Sequence, residues 1–257
     1  MIELLKAELK RTWIQSTRYP LEALGRIFIT TCFFYALFLG SKYIAEPPAS
    51  FGNRLDSIVI GYILWTLVIF IVNDIAITLQ IEVQTGTLQQ VLLSPYEPVK
   101  IFLARALASL LLRLTTIITI LLIILVLTGS QLAFPISLLL PLLSVILGAY
   151  GLAFMMGSLA VLLKRIQQLL VILQFGLLFL LATPIEDWQG IPALLGLWLP
   201  MTAGAGLLRQ VMAQGMALDG FRAGLALLVG LLYFIVGLAC FRWAVNHGKQ
   251  QGNLGTY

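Results

Sequence analysis

The sequence predicts an all-α membrane protein: six transmembrane helices, an N-terminal amphipathic interface helix, a short cytoplasmic helix after the second span, and outer re-entrant helices before the last. Three observations predict it. Of the 257 residues, 60% are hydrophobic and only 11% charged, where a soluble domain carries about a quarter charged. Mean hydropathy is +0.99. Six stretches reach the roughly 20 apolar residues that a helix needs to cross a hydrocarbon core about 30 Å thick.

Those stretches are Leu24–Ile44, Ser57–Leu79, Ala104–Leu127, Pro135–Leu163, Ile166–Ile185 and Ala223–Trp243. None alternates with period two, and each is about twice the length of a barrel strand, so a β-barrel is excluded. In lipid each segment has to satisfy its own backbone N–H and C=O groups, which leaves helix. Residues 1–257 read as a single transmembrane domain, with residues 1–23 as the interface helix, 80–99 as a cytoplasmic segment, 186–222 as an outer re-entrant segment, and a short tail after the last span.

Residues 1–23 are too charged for a signal core. Ile2, Leu5, Leu9 and Trp13 share one helical face, with Glu3, Lys6, Lys10 and Arg11 largely opposite, the pattern of a helix lying in a membrane interface. A plain cytoplasmic extension is the alternative. Flanking charges set the orientation. With the N-terminus inside, eleven cations fall on the cytoplasmic side (Lys6, Lys10, Arg11, Arg18, Arg26, Lys100, Arg105, Lys164, Arg165, Arg242, Lys249) against Lys42, Arg54, Arg209 and Arg222 outside. Both termini are thus expected in the cytoplasm. The net charge of +5 is then a topology signal, and cations dispersed along membrane edges do not make a nucleic-acid surface.

The second span carries Asp74 and the third Arg105 and Arg113. A lone charge at mid-membrane costs about 2.5–3.5 kcal/mol on insertion scales, so each needs a partner or water. Counting turns from the span ends pairs Asp74 with Arg105 and turns Arg113 to a polar path or an adjacent carbonyl. On the fourth span Ala149, Ala153 and Gly157 form a small-residue stripe that lets helices approach within one protomer. Cys32 and Cys240 lie inside spans and read as small buried residues rather than a disulfide or metal pair.

After the second span comes Glu82-Val-Gln-Thr-Gly-Thr-Leu-Gln-Gln-Val-Leu-Leu-Ser-Pro95. Thr87 with Gln90 three residues on is a capping-box pattern, and Gly86 permits the turn before it. Leu88, Val91 and Leu92 share one greasy face. Ser94, Pro95 and Glu97 fit the N-cap, N1 and N3 positions of a second short helix. Two short helices at a sharp cytoplasmic corner make a docking element, or else a loop helix that merely rests on the membrane.

Between the fifth and sixth spans, the eleven-residue apolar run Ile191–Met201 is too short to cross and is broken by Pro192 and Pro200. Re-entrant half-helices packed against protein answer this; a surface loop with an interfacial helix is the alternative. Enzymatic groups are scarce. The one histidine is His247, in the tail, so no intramembrane histidine holds a metal. Gly248-Lys249 is followed by Gln250, which is not a phosphate-binding loop.

Glu82, Gly86-Thr87-Leu88 and Leu92-Leu93-Ser94-Pro95 together resemble the signature of ABC exporter permeases of the type-2 family, whose pattern commonly has an acid where Gln89 stands. The six spans, the N-terminal helix and the broken outer segment, with Leu199-Pro200-Met-Thr202 leading to Arg209, also resemble that family. The resemblance implies a permease of the bacterial cytoplasmic membrane, without catalytic residues or bound metal. It implies a homodimer, or a pair of like permeases, on two copies of an ATP-binding subunit that carries the ATP and Mg²⁺. The segment Glu82, Gly86, Thr87, Leu88, Val91, Leu92, Ser94 and Pro95 would be its coupling element, with Leu88 and Leu92 filling a groove on the ATPase. A stand-alone secondary transporter is the competing reading, but such folds favour several midplane carboxylates or repeats, and here Asp74 is the only acid inside a span. Asp74, Arg113 and the aromatics Phe34, Phe38, Phe175 and Phe179 are candidates for the path of a lipid, glycan, drug or similar amphiphile, because aromatic faces stack on sugars and slide along apolar chains.

Overall fold

The computed structural model describes residues 2–44, 51–129, 132–183, 196 and 198–250. No strand occurs among them. The helices run α1 Ile2–Arg18, α2 Pro20–Ile44, α3 Phe51–Gln84, α4 Thr87–Leu92, α5 Pro98–Thr128, α6 Leu139–Leu163 after a 3-10 turn at Ile136–Leu138, α7 Gln167–Ala182, α8 Thr202–Met212 and α9 Gly220–Gln250.

Five of these (α2, α3, α5, α6 with its leading turn, and α9) are long and apolar enough to cross a membrane. The expected fifth span is shorter than the sequence suggests: α7 has 16 residues, about 24 Å at 1.5 Å per residue. Thr183 is extended, with φ −80° and ψ 132°, as expected of a residue that precedes a proline in the sequence, so α7 ends at Ala182. Pro192 and most of the run Ile191–Met201 lie outside the described residues. Its end leads into α8, whose residues Thr202, Gly204, Ala205, Gly206, Leu207, Leu208, Arg209 and Val211 are buried.

The core lies along α3 and α6. In α3, 72% of the most apolar window is covered by the rest of the chain, against 6% in α2 and 17% in α5. α3 touches α4, α5, α6, α7 and α8, so it is the spine. Its side-chain amides and indole bond outward from it: Trp65 Nε1 donates to the Gln174 carbonyl at 3.0 Å, Gln174 Nε2 to Asn73 Oδ1 at 2.9 Å, and Gln84 Nε2 to the Lys164 carbonyl at 2.9 Å. Gln80 Oε1 accepts from the Ile166 N–H at 3.1 Å. A donor buried in apolar surroundings has a large penalty if left unmade, so these four bonds fix α7 and the α6–α7 turn on α3.

α6 pairs most extensively with α9, through glycine. A Cβ on Gly237 would lie 2.3 Å from the Gly151 carbonyl oxygen, one on Gly151 2.4 Å from the Tyr233 carbonyl, and one on Gly230 2.4 Å from the Ser144 carbonyl. The two backbones touch, as small residues allow in membrane helix pairs. The Ala149–Ala153–Gly157 stripe also packs within the chain: Ala149 and Ala153 are fully buried, and a Cβ on Gly157 would meet Leu79 at 2.5 Å and Ile75 at 3.4 Å. The glycine seam between α6 and α9 was not anticipated from sequence.

Gly237→Val should therefore force α9 off α6 at a cost of at least about 1–3 kcal/mol. Monodisperse yield after detergent extraction should fall sharply, whereas Gly224→Ala, with open space around it, should extract normally.

Candidate functional site: the α3–α5 corner and its ion pairs

α3 ends where Gly86 takes φ 72° and ψ 0°, a left-handed conformation that costs a glycine little. Thr85 and Gly86 still donate backward, to Ile81 at 2.8 Å and Val83 at 3.3 Å, and α4 then leaves in a new direction. Gly86 occupies the N-cap position and no side chain caps the helix. The expected cap at Thr87 is therefore corrected: Thr87 is already helical, and its hydroxyl bonds Thr85 Oγ1 at 2.9 Å and the Glu82 carbonyl at 3.5 Å. The threonines staple the two helices instead.

The second short helix is also absent. Pro98 is the first residue of α5, and Glu97 before it is extended at ψ 129°, because proline bars the helical conformation to its predecessor. Ser94 Oγ accepts from the Tyr96 N–H at 3.2 Å, making a turn of 93–97, and Pro95 is exposed.

The greasy face of α4 points inward. Leu88 is 0% exposed, and Val91 and Leu92 pack against the same core. Leu88 is thus a bundle residue rather than a groove-filler, because burial in its own fold removes its apolar surface from water at once, while Leu92 is only partly covered. The outward face carries Gln89, Gln90, Leu93 (86% exposed) and Tyr96.

Beside the corner, Arg105 Nη1 donates to Glu82 Oε1 at 2.5 Å, and Arg105 Nε lies 3.6 Å from Glu8 of α1. Deeper, Arg113 Nη2 donates to Asp74 Oδ1 at 2.7 Å. The expected Asp74–Arg105 pair is therefore wrong, and the reason is geometric. α3 runs five residues past Leu79, so the antiparallel register shifts. Asp74 to Glu82 and Arg105 to Arg113 are both eight residues apart, and one alignment forms both pairs. Glu8 is also buried where α1 meets α5, with Leu5 and Leu9 partly covered beside it and Trp13 61% exposed, so the packed face of α1 overlaps its apolar face but is turned toward Glu8.

The candidate path residues do not converge. Asp74 and Arg113 border a cavity of about 370 Å³ with Thr12, Glu22 and Arg26. Phe34 is buried, 5.0 Å from the Tyr62 ring and 6.1 Å from Phe38, while Phe175 and Phe179 are exposed on α7. Arg209 is no surface charge: it is 1% exposed and donates to the carbonyls of Leu181 at 2.7 Å and Thr183 at 3.2 Å, closing the C-terminus of α7 where a cation meets the helix dipole favourably. Gly61 makes room, since a Cβ there would lie 2.7 Å from the Leu181 carbonyl oxygen. Pro200 sits in the turn before α8.

Residues 3–213, from α1 through α8, match the family described as ABC-2 type transporter. The chain belongs to that family. It is a multi-pass membrane permease of an ABC transporter and not the ATP-binding part, and the family works with an ABC ATPase in general. Comparison with individual curated proteins gives no match. The matched residues end before α9, although α9 packs backbone to backbone against α6. Sequence reasoning missed Glu8, Arg26, Gln80 and Gln84; polar side chains at the ends of apolar runs were the signal available.

Neutralising either member of the Asp74–Arg113 pair, by Asp74→Asn or Arg113→Gln, should lower extractable yield, since the remaining charge loses its partner, at a cost of up to about 2.5–3.5 kcal/mol within a span. The exchange Asp74→Arg with Arg113→Asp should recover most of that yield, and Asp74→Arg with Arg105→Asp should not. Size-exclusion yield of the four variants checks the pairing.

Proposed function

We propose that this chain is the membrane-spanning subunit of an ATP-driven exporter that moves a lipid, glycan, drug or similar amphiphile out of the cytoplasm or the inner leaflet. It works as one of two permease copies, each joined to an ATP-binding subunit that holds ATP and Mg²⁺. In this reading α2, α3, α5, α6, α7 and α9 are the six spans, with α7 the short one, and α8 is the re-entrant element on the outer side. α1 lies at the cytoplasmic interface of the bacterial inner membrane, and both termini are cytoplasmic.

The single observation that carries the reading is the construction of the α3–α5 corner. Its inner face is anchored by Leu88 and braced by Glu82–Arg105, and its outer face offers Gln89, Gln90, Leu93 and Tyr96. A corner so anchored does not flex under a push. Displacement of α4 by a closing ATPase dimer passes into α3, and the bonds from Asn73, Gln80 and Gln84 carry it to α7. Preference of the corner for the closed ATPase supplies the shift between conformations, because only differential affinity moves such an equilibrium.

Leu93→Asp, with Tyr96→Ala as a milder companion, should leave insertion and yield unchanged while abolishing capture of the co-expressed ATPase and export. Leu88→Asp should instead lower yield, since it places a carboxylate in the core. A Leu93→Asp variant that still captures its ATPase and transports at the parental rate would remove the corner from the coupling role.

A further inference from the structure

The cavity of about 370 Å³ between α1, α2, α3 and α5 has a lining unlike the rest of this apolar chain: Arg26, Arg113, Glu22 and Asp74, with the polar side chains of Thr12 and Gln15. Its volume is in the range of ligand pockets, roughly 300–1,000 Å³. Two guanidiniums and two carboxylates balance. An anionic ligand would call for an excess of cations and a cationic one for an excess of carboxylates, so the balanced lining fits a group that carries both signs.

The charges are also held open. Arg26 Nη2 reaches Glu22 Oε1 at 3.0 Å, with 32% and 71% of the side chains exposed, and the Asp74–Arg113 pair keeps 22% and 23% exposed. Phe70 fixes both arginines, with its ring centroid 5.9 Å from the Arg26 guanidinium carbon and 5.7 Å from that of Arg113. Cations held over one ring are oriented before a ligand arrives. On the same helix as Glu22 and Arg26, Leu21, Leu24 and Phe28 are 82%, 62% and 70% exposed, an apolar surface open to acyl chains.

We propose that this cavity binds the headgroup of a zwitterionic phospholipid, its phosphate on the Arg26 and Arg113 side and its ammonium on Glu22 and Asp74, with the acyl chains along α2. The proposal rests on the placement of the α1–α2 junction at the membrane surface and not on the coupling role of the corner.

The test is native mass spectrometry of the purified full chain, titrated with phosphatidylethanolamine, phosphatidylglycerol or diacylglycerol. Phosphatidylethanolamine should be retained in preference to the other two. Arg26→Gln should weaken that retention about tenfold, the loss of a charge-assisted bond, and Glu22→Gln should erase the preference over phosphatidylglycerol. Equal retention of the lipids, or retention untouched by both variants, would mean surface lipid only and overturn the proposal. Binding of soluble glycerophosphoethanolamine without retention of the intact lipid would also overturn it, in favour of a soluble zwitterion. Quenching of a single tryptophan at position 13 by lipids brominated near the headgroup reports the placement separately: strong quenching with no selective retention defeats the headgroup site alone, and no quenching defeats the placement.

Discussion

A charge inside an apolar bundle has to find its opposite, and two such pairs, Glu82–Arg105 and Asp74–Arg113, set the register of α3 against α5. Much else follows from that register. It places Arg105 where Glu8 can bring α1 against α5, and it places Arg113 beside Arg26 around Phe70. It also decides where the chain must turn, because α3 has to run on to Gln84 for Glu82 to meet Arg105. The corner at Gly86 is a consequence of the pairing as much as of the glycine.

The same helix organises the other side of the molecule. Asn73, Gln80 and Gln84 lie at spacings of seven and four, and their amides reach α7 or the turn before it. Arg209 ties α8 to the far end of α7. α7 is therefore held at one end by α3 and at the other by α8, although it is the shortest of the apolar helices. α3 is thus the one helix that carries both the corner at Gly86 and the bonds to α7.

Much of this was legible in the sequence, and the rest failed for identifiable reasons. Run length and hydropathy marked the long helices, because crossing lipid constrains both. They placed the end of α3 at Leu79, because hydropathy stops at the last apolar residue while a helix continues through polar ones, and that five-residue error misassigned the partner of Asp74. The family signature located the corner, and Gly86 took the turn its lack of a Cβ permits. The direction of Leu88 was unreadable, since an apolar face on a surface helix looks the same whether it meets a partner or its own core. The α6–α9 seam was missed because Gly151, Gly230 and Gly237 are far apart in sequence, and only the crossing of two helices shows that they meet.

The register is the claim on which the account stands, and a distance across it tests that claim most directly. Thr78 on α3 and Ser109 on α5 lie midway between the two ion pairs, each four residues from both. With Cys32 and Cys240 replaced, cysteines at 78 and 109 should be bridged rapidly by a short bifunctional thiol reagent in native membranes, while cysteines at 78 and 101 should not. Efficient bridging of 78 to 101 and none of 78 to 109 would restore the Asp74–Arg105 alignment and contradict the structure of the corner built on it.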